Sequence, residues 1–212
     1  MPVPIAAVRG HWTQASGGIT TLIYDTFTDT DTTVINSHTI APTNTPSASW
    51  SATIALYETP PNITIVSNQA TIIPGAGATG GGSVANAGTA NVVITAVVTT
   101  FSGAGYGFNG LIGRYNNASS YWAFDCVPGT NTIRILENGS TTRASASKVI
   151  AVNTAYNFTV TMNGNDLTLD VDGTSCNYTS ASNNDKTSHG IVIISDAGFT
   201  STRIDNFRIT TV

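Results

Sequence analysis

The sequence predicts an all-β fold built from two packed antiparallel sheets, and three observations support this. The chain has 212 residues, of which 41% are hydrophobic, and this is enough for one domain with a substantial core. Only 9% of the residues are charged, and threonine, serine, asparagine and glycine replace them. Threonine is β-branched and suits the half-exposed face of a strand. No window shows a sustained 3.6-residue apolar repeat flanked by helix-capping residues.

The order of strand and turn signals divides the chain into an arm and one domain. Residues 1–20 are interrupted by proline and glycine, and they are expected to form an N-terminal arm. Short β-rich runs begin at Thr21, so the domain is expected to cover residues 21–212. Residues 74–88, "PGAGATGGGSVANAG", are rich in glycine and are predicted to form a surface loop or a long hairpin tip.

The second half of the chain shows the clearest strand pattern. Apolar residues alternate with polar ones on both sides of the "NGN" turn at residues 163–165, which predicts two strands with one buried face each. The dipeptides Asn138-Gly139 and Asp172-Gly173 are typical of tight hairpin turns. The alternating apolar residues are Tyr156, Phe158, Val160, Met162, Leu167, Leu169 and Val171.

Charge and composition exclude some classes of partner. The net charge is -4 and the eight basic residues are scattered, which argues against nucleic-acid binding. No apolar run approaches the roughly 20 residues of a membrane span, so no membrane insertion is expected. The first residues lack the pattern of a signal peptide, and synthesis in a cytoplasm favours free thiols at Cys126 and Cys176 over a disulfide.

A series of motifs resembles a known fold family. In order, these are "DTFTDTDTT", "INSHT", "SW", "GLIGRYNNASSYWAF", "IRILENGSTTRAS", "YNFTVTMNGNDLTLDVDG", "GIVIISD" and "IDNFRI". The series is similar to concanavalin A-like lectin/glucanase jelly rolls, in particular laminin G-like domains of phage and bacterial surface proteins, over residues 22–212. The resemblance implies a jelly-roll sandwich, and members of this family bind glycans, hydrolyse glucans or serve as structural modules, so function depends on the site.

Catalysis is not expected. Glycoside hydrolysis needs two carboxylates flanking the scissile bond, and the two glutamates, Glu58 and Glu137, do not have the spacing found in glucanases of this fold. Asp170 and Asp172 share one strand face but lead directly into a turn, where aspartate is a common turn former. The three histidines lack the signatures of a nucleophilic triad or a zinc site.

The acidic stretch after Leu22 allows two interpretations. First and last strands often lie side by side in this fold, so the resemblance suggests that Asp25 approaches Asp205, and one structural calcium could bridge them. Alternatively, both carboxylates accept backbone hydrogen bonds and the protein holds no cofactor. The resemblance also implies a structural role for His38 and Trp50, with the imidazole packed beside the indole.

A binding surface for sugars requires exposed aromatic rings with polar groups nearby. One hairpin offers Arg114, Tyr115, Tyr121 and Trp122 as candidate carbohydrate-binding residues. Alternation along the strand sends Tyr121 and Trp122 to opposite faces, so one of them is expected in the core.

The predicted function is that of a non-enzymatic virion surface protein, such as a phage head decoration or a tail-associated structural or adhesion module. Such a protein is made in the host cytoplasm, acts at the virion surface, associates with itself and with other virion proteins, and could contact host glycans. Trp12 is then the candidate anchor of the N-terminal arm on a partner subunit. The alternative is a carbohydrate-binding module of a secreted or cell-surface protein.

Overall fold

The computed structural model describes residues 18–40, 48–55, 63–73, 79–100, 109–195 and 202–212. These residues form fifteen β-strands and two short 3-10 turns, at Ile35–Ser37 and Pro128–Thr130. Within this described part, no helix is long and apolar enough to cross a membrane. The all-β prediction is confirmed. Trp12 and the rest of the predicted arm up to residue 17 lie outside the described residues.

The strands form two antiparallel sheets. In spatial order, the first sheet consists of β13 (Thr174–Thr179), β12 (Asp166–Val171), β11 (Ala155–Asn163), β6 (Val92–Thr99), β15 (Arg203–Thr211), β4 (Gln69–Thr71) and β3 (Thr64–Val66), with β1 (Thr21–Asp25) also paired to β15. The second sheet consists of β10 (Thr141–Ser147), β9 (Thr132–Glu137), β8 (Ser120–Val127), β7 (Asn109–Asn117), β14 (Ser188–Ser195), β5 (Thr79–Asn86) and β2 (Ser51–Ala55).

One large apolar cluster fills the space between the two sheets. On β11 and β12, every apolar residue predicted to face the core is buried, from Tyr156, which is 8% exposed, to Val171, which has no exposed surface. Period-two alternation was sufficient here because each of these strands has one face in the core and one in solvent. Cys126 and Cys176 are buried in the same cluster and form no disulfide, which agrees with the expectation from the sequence.

The two predicted hairpin turns are also confirmed. Asn138 and Gly139 have φ angles of 56° and 65°, and Asp172 and Gly173 have φ angles of 43° and 80°. Two consecutive positive φ angles are required by the type I′ turn, whose twist matches that of the strands it joins.

The prediction for the glycine-rich segment was wrong within the described residues. Residues 79–86 are not a surface loop but strand β5, which pairs with β14 on one side and β2 on the other. A Cβ atom at Gly190 of β14 would lie 1.9 Å from the carbonyl oxygen of Ser83 on β5. Because the backbones approach this closely, small residues are needed here, and the ladder hydrogen bonds on both sides of β5 offset the conformational entropy that its glycines lose.

Candidate functional site

The β7–β8 hairpin places the four predicted carbohydrate-binding residues at one end of the seven-stranded sheet. Strand β8 is buried on both faces, so both large aromatic residues are inside. Trp122 lies in the core between the sheets and has no exposed surface, whereas Tyr121 is 2% exposed and belongs to a smaller apolar cluster on the other face of the sheet. The indole N–H of Trp122 donates to the carbonyl oxygen of Ser182 at 3.1 Å, and its ring packs against Tyr178.

Tyr115 is the predicted residue whose ring remains partly accessible. It is half-buried and packs against Tyr121, with ring centroids 6.2 Å apart. Burial, together with the neighbouring Tyr115 hydroxyl, raises the pKa of Tyr121, so the Tyr121 hydroxyl stays neutral at physiological pH. Because Tyr115 packs against the smaller apolar cluster, this cluster holds the Tyr115 ring in place. Its members are Val84, Ile112, Tyr121, Ala123, Leu136 and Val192.

Amide and hydroxyl side chains follow Tyr115 in the sequence of the hairpin turn. The turn that follows it, residues 116–119, is exposed. Asn117 Oδ1 accepts a hydrogen bond from the Ser119 backbone N–H at 2.9 Å, and Ser120 Oγ–H donates to Asn183 Oδ1 at 3.0 Å. The hairpin therefore combines a partly exposed aromatic ring, packed against Tyr121, with an exposed polar turn, and aromatic rings and polar groups are what a sugar-binding surface requires.

Arg114 is not part of an exposed surface, contrary to its role in the predicted sugar site. It has no exposed surface, and its φ of 49° marks a bulge in β7. Its guanidinium donates to the carbonyl oxygens of Ala90 and Gly164, at 3.3 and 2.7 Å, and to Asn91 Oδ1 at 3.4 Å. These contacts connect the β5–β6 loop with the β11–β12 turn. Arg114, Tyr121 and Trp122 therefore support the hairpin from within, because a buried side chain cannot contact a ligand on the surface.

His189 completes the buried polar group around Arg114, and no pattern in the sequence indicated this role. Its Nδ1 accepts the Arg114 backbone N–H at 3.1 Å, and its Nε2 lies 2.9 Å from the Thr89 carbonyl oxygen. Burial, opposed by the hydrogen bond to Thr89, lowers the pKa of His189 to about 4. The imidazole is therefore neutral at pH 7 and carries its proton on Nε2.

Asp25 lies at the centre of a second polar network, at the end of β1. The carboxylate is 2% exposed. Its Oδ1 accepts the Phe27 backbone N–H at 2.7 Å and lies 2.9 Å from His38 Nε2, and its Oδ2 accepts the Trp50 indole N–H at 2.7 Å. His38 and Trp50 thus have a structural role, as expected. They meet through the Asp25 carboxylate and the Phe27 ring, whose centroid is 6.3 Å from that of His38 and 5.9 Å from that of Trp50.

Asp29 extends this network towards the surface. Its Oδ2 lies 3.2 Å from His38 Nδ1, and its Oδ1 accepts the Thr30 backbone N–H at 2.7 Å. The hydrogen bond with His38 and the one from Thr30 lower the pKa of Asp29. Each ring nitrogen of His38 therefore faces a carboxylate oxygen.

The predicted calcium site at Asp25 and Asp205 does not fit this donor set. Both oxygens of Asp25 are occupied by N–H donors, and calcium needs several oxygen ligands that converge on one point. Asp25 pairs in register with Phe207, and Asp205 accepts the Asn206 backbone N–H at 2.7 Å. In the described residues, no group of three or more histidine, cysteine, aspartate or glutamate side chains could hold a metal ion.

The structure brings together one ion pair that the sequence analysis missed. Asp125 of β8 has no exposed surface and receives two hydrogen bonds from Arg134 of β9, at 3.0 and 2.5 Å. The two residues are direct partners in the ladder, and opposite charges at such positions stabilise a strand pair. Burial raises the pKa of Asp125 to about 6, and Arg134 opposes this shift. The sequence alone does not reveal the Asp125–Arg134 pair, because the pair depends on the register between β8 and β9.

Comparison with solved structures identifies the fold of the chain. No protein-family model and no curated protein matches it. Among solved structures, the chain is similar to SCLam, an endo-β-1,3(4)-glucanase of family GH16, with a TM-score of 0.59 and 10% identity over 91% of each chain. It is also similar to the carbohydrate-binding module CBM66 from Bacillus subtilis, with a TM-score of 0.53 and 13% identity over 74% of this chain and 92% of that one.

A third similar structure is the exoplasmic/lumenal domain of VIP36 in its Ca2+/Man2-bound form, with a TM-score of 0.54 and 9% identity over 86% of this chain and 87% of that one. At these identities, the similarity concerns the fold alone. The chain has the concanavalin A-like jelly-roll fold that its sequence predicted.

Proposed function

We propose that this protein is a non-catalytic carbohydrate-binding domain and that the β7–β8 hairpin carries its binding site. The observation that supports this proposal is the half-exposed Tyr115 ring, which Tyr121 holds at 6.2 Å and which is followed by an exposed polar turn. A stacking residue that is already fixed loses little conformational entropy when the ligand binds. Two of the similar structures, CBM66 and VIP36, are named as carbohydrate-binding or sugar-bound, which favours this class of ligand.

Among the described residues, Asp170, Asp172 and Glu137, which the sequence offered as candidate catalytic carboxylates, accept structural hydrogen bonds, which favours binding over hydrolysis. Asp170 accepts hydrogen bonds from the Gly173 backbone N–H and from Ser175 Oγ–H. Asp172 accepts hydrogen bonds from the backbone N–H and the side-chain amide N–H of Asn157. Glu137 pairs with Arg143. A general acid or a nucleophile must be available to the scissile bond, whereas these carboxylates stabilise turns and strand ends.

The virion-surface role stays a prediction. It depends on composition and on residues 1–17, including Trp12, which lie outside the described part of the chain. The same holds for self-association and for binding to other virion proteins.

The proposal can be tested by changing the Tyr115 ring. A glycan array first identifies ligands of the unchanged protein, and calorimetric titration then compares variants. We expect Tyr115→Ala to weaken binding at least about tenfold, because an aromatic residue at the centre of an interface typically contributes more than 1 kcal/mol. Tyr115→Phe keeps the ring and is expected to bind within about threefold of the unchanged protein, a difference below 1 kcal/mol.

Tyr24 provides a matched control, because it is 41% exposed and lies on the opposite sheet. Tyr24→Ala is expected to leave glycan affinity unchanged. Equal affinities of the Tyr115→Ala and Tyr24→Ala variants, or an array without any ligand, would contradict the proposal.

A further inference from the structure

His38 is a buried histidine whose two ring nitrogens both face carboxylate oxygens. Its Nε2 lies 2.9 Å from Asp25 Oδ1, and its Nδ1 lies 3.2 Å from Asp29 Oδ2. An ionised carboxylate can only accept a hydrogen bond, and a neutral imidazole carries a single N–H. Both hydrogen bonds therefore form only while the ring carries two protons, and a neutral ring must leave one of them unmade.

The two carboxylates differ in exposure, and this difference decides which hydrogen bond a neutral ring keeps. The side chain of Asp25 is 2% exposed, whereas that of Asp29 is 33% exposed. A lone pair that faces a buried charge costs more than one that faces a charge in contact with water. The neutral ring is therefore expected to keep its proton on Nε2, towards Asp25. Its bare Nδ1 would then repel Asp29, which can turn to solvent.

The contact with His38 holds residues 28–30 against the sandwich. These three residues are exposed. In the part of the chain that the structure describes, their other hydrogen bonds stay within residues 26–33. From Thr32 onwards the chain is anchored separately, because the Thr32 backbone N–H donates to the Ile65 carbonyl oxygen at 2.8 Å. Loss of the Asp29–His38 contact would therefore release residues 28–30 and leave the following residues in place.

Among the described residues, the two carboxylates are the ionised groups within 4.0 Å of the His38 ring nitrogens. The hydrogen bonds from His38 and Thr30 lower the pKa of Asp29, so Asp29 stays ionised between pH 5 and 8, where histidine ordinarily changes its charge. The proton that leaves this pair as pH rises is therefore the one on the ring. Titratable side chains close by on the same segment and strands make other contacts, namely Asp31 with Ser67, Asp205 with Asn206, Tyr24 with Asn206 and Arg208 with Thr21.

We propose that His38 is a proton-dependent latch for residues 28–30. With two protons, the ring bridges Asp25 and Asp29 and fixes this segment to the sandwich. With one proton, it keeps the hydrogen bond to Asp25 and releases Asp29. The latch is closed at lower pH and opens as pH rises, because the closed state binds one proton more than the open state. It lies at the end of β1 in the eight-stranded sheet, so it does not depend on the sugar site proposed on the other sheet.

NMR spectroscopy of the full chain from about pH 5 to about pH 9 tests the latch. The 15N shifts of the His38 ring are expected to show a proton on Nε2 throughout and a bare Nδ1 at the upper end. Over the same range, the Cα–H order parameters of residues 28–30 are expected to fall from about 0.85 to below about 0.6. A ring that keeps both protons throughout, or order parameters that do not change with pH, would overturn the proposal.

Asp29→Asn separates the latch from a general effect of pH. The amide N–H of asparagine can donate to a bare Nδ1 of His38, while its oxygen can still accept the Thr30 backbone N–H. Residues 28–30 are therefore expected to stay ordered at the upper end of the pH series in this variant. Asp29→Ala lacks both contacts and is expected to leave them mobile at every pH.

Asp31→Asn is the matched control, because it removes the same charge two residues away and keeps an acceptor oxygen for the Ser67 backbone N–H. It is expected to show the same pH dependence as the unchanged protein. Asp125, whose pKa is about 6, and His189, whose pKa is about 4, lie on the other sheet and are present in every variant. Segment mobility at high pH in Asp29→Asn, or its absence in Asp31→Asn, would contradict the latch.

Discussion

Asp25→Asn is the most direct test of the network at the end of β1. The Asp25 carboxylate accepts N–H groups from Phe27 and Trp50 and lies 2.9 Å from His38 Nε2. Asparagine has one acceptor oxygen, and its NH2 group must face at least one of these donors. Hydrogen bonds to a charged group contribute about 1.5–3 kcal/mol each, and the substitution weakens or removes at least two of them. We expect the free energy of unfolding to fall by about 3–5 kcal/mol.

Urea denaturation followed by tryptophan fluorescence measures this loss, and the melting temperature is expected to fall by on the order of 10 °C. Asp205→Asn is the matched control, because Asp205 is half-buried and its carboxylate accepts the Asn206 backbone N–H. A change below about 0.5 kcal/mol is expected for it. A loss below about 1 kcal/mol for Asp25→Asn would refute the reasoning. An equal, calcium-dependent loss in both variants would instead establish the calcium site.

Three further predictions concern the sandwich itself. Burial raises the pKa of Asp125 to about 6; because the folded state then binds more protons than the unfolded one, this group lowers stability as pH rises from about 4 to about 6. Asp125→Asn is expected to remove that slope from a pH series of urea denaturations, and an unchanged slope would contradict it. Gly113→Ala is expected to lower the free energy of unfolding by about 1–3 kcal/mol, because its Cβ would lie 2.5 Å from Met162 Sδ. In the double variant with Met162→Ala this clash is absent, so the combined loss is expected to be smaller than the sum of the two single losses. A combined loss equal to that sum would contradict the prediction. Burial raises the pKa of the Cys176 thiol to about 11 and that of Cys126 even more, so both thiols are expected to react with a disulfide reagent only after unfolding, and fast labelling of the native protein would disprove it.

The parts of the fold that the sequence predicted correctly depend on local patterns. The core residues of β11 and β12 follow from period-two alternation, and the turn at Asn138-Gly139 follows from the need for two positive φ angles. Each of these signals is contained within a few neighbouring residues, so neither requires knowledge of which strands pair.

The site was predicted less well, because its residues are defined by contacts between distant segments. The resemblance to concanavalin A-like jelly rolls suggested Asp205 as the partner of Asp25, and the pairing of β1 with β15 is present. The pairing register, however, places Asp25 opposite Phe207, while His38 and Trp50 occupy the carboxylate. A shift of two residues along a strand is about 7 Å, which is enough to separate two carboxylates that share a calcium ion.

Strand β5 shows the same limit most clearly. Glycine has no side chain, so residues 79–86 carry almost no alternation, and composition alone favoured a loop. The deciding interactions are backbone hydrogen bonds to β14 and β2, together with the close approach that leaves no room for a Cβ at Gly190. Gly110 of β7 has the same restriction against the Phe124 carbonyl oxygen of β8, at 1.9 Å. Glycines in separate strands of one sheet therefore favour close strand pairing, and Gly190→Ala is expected to destabilise the protein more than a typical surface substitution, a difference that thermal denaturation would measure.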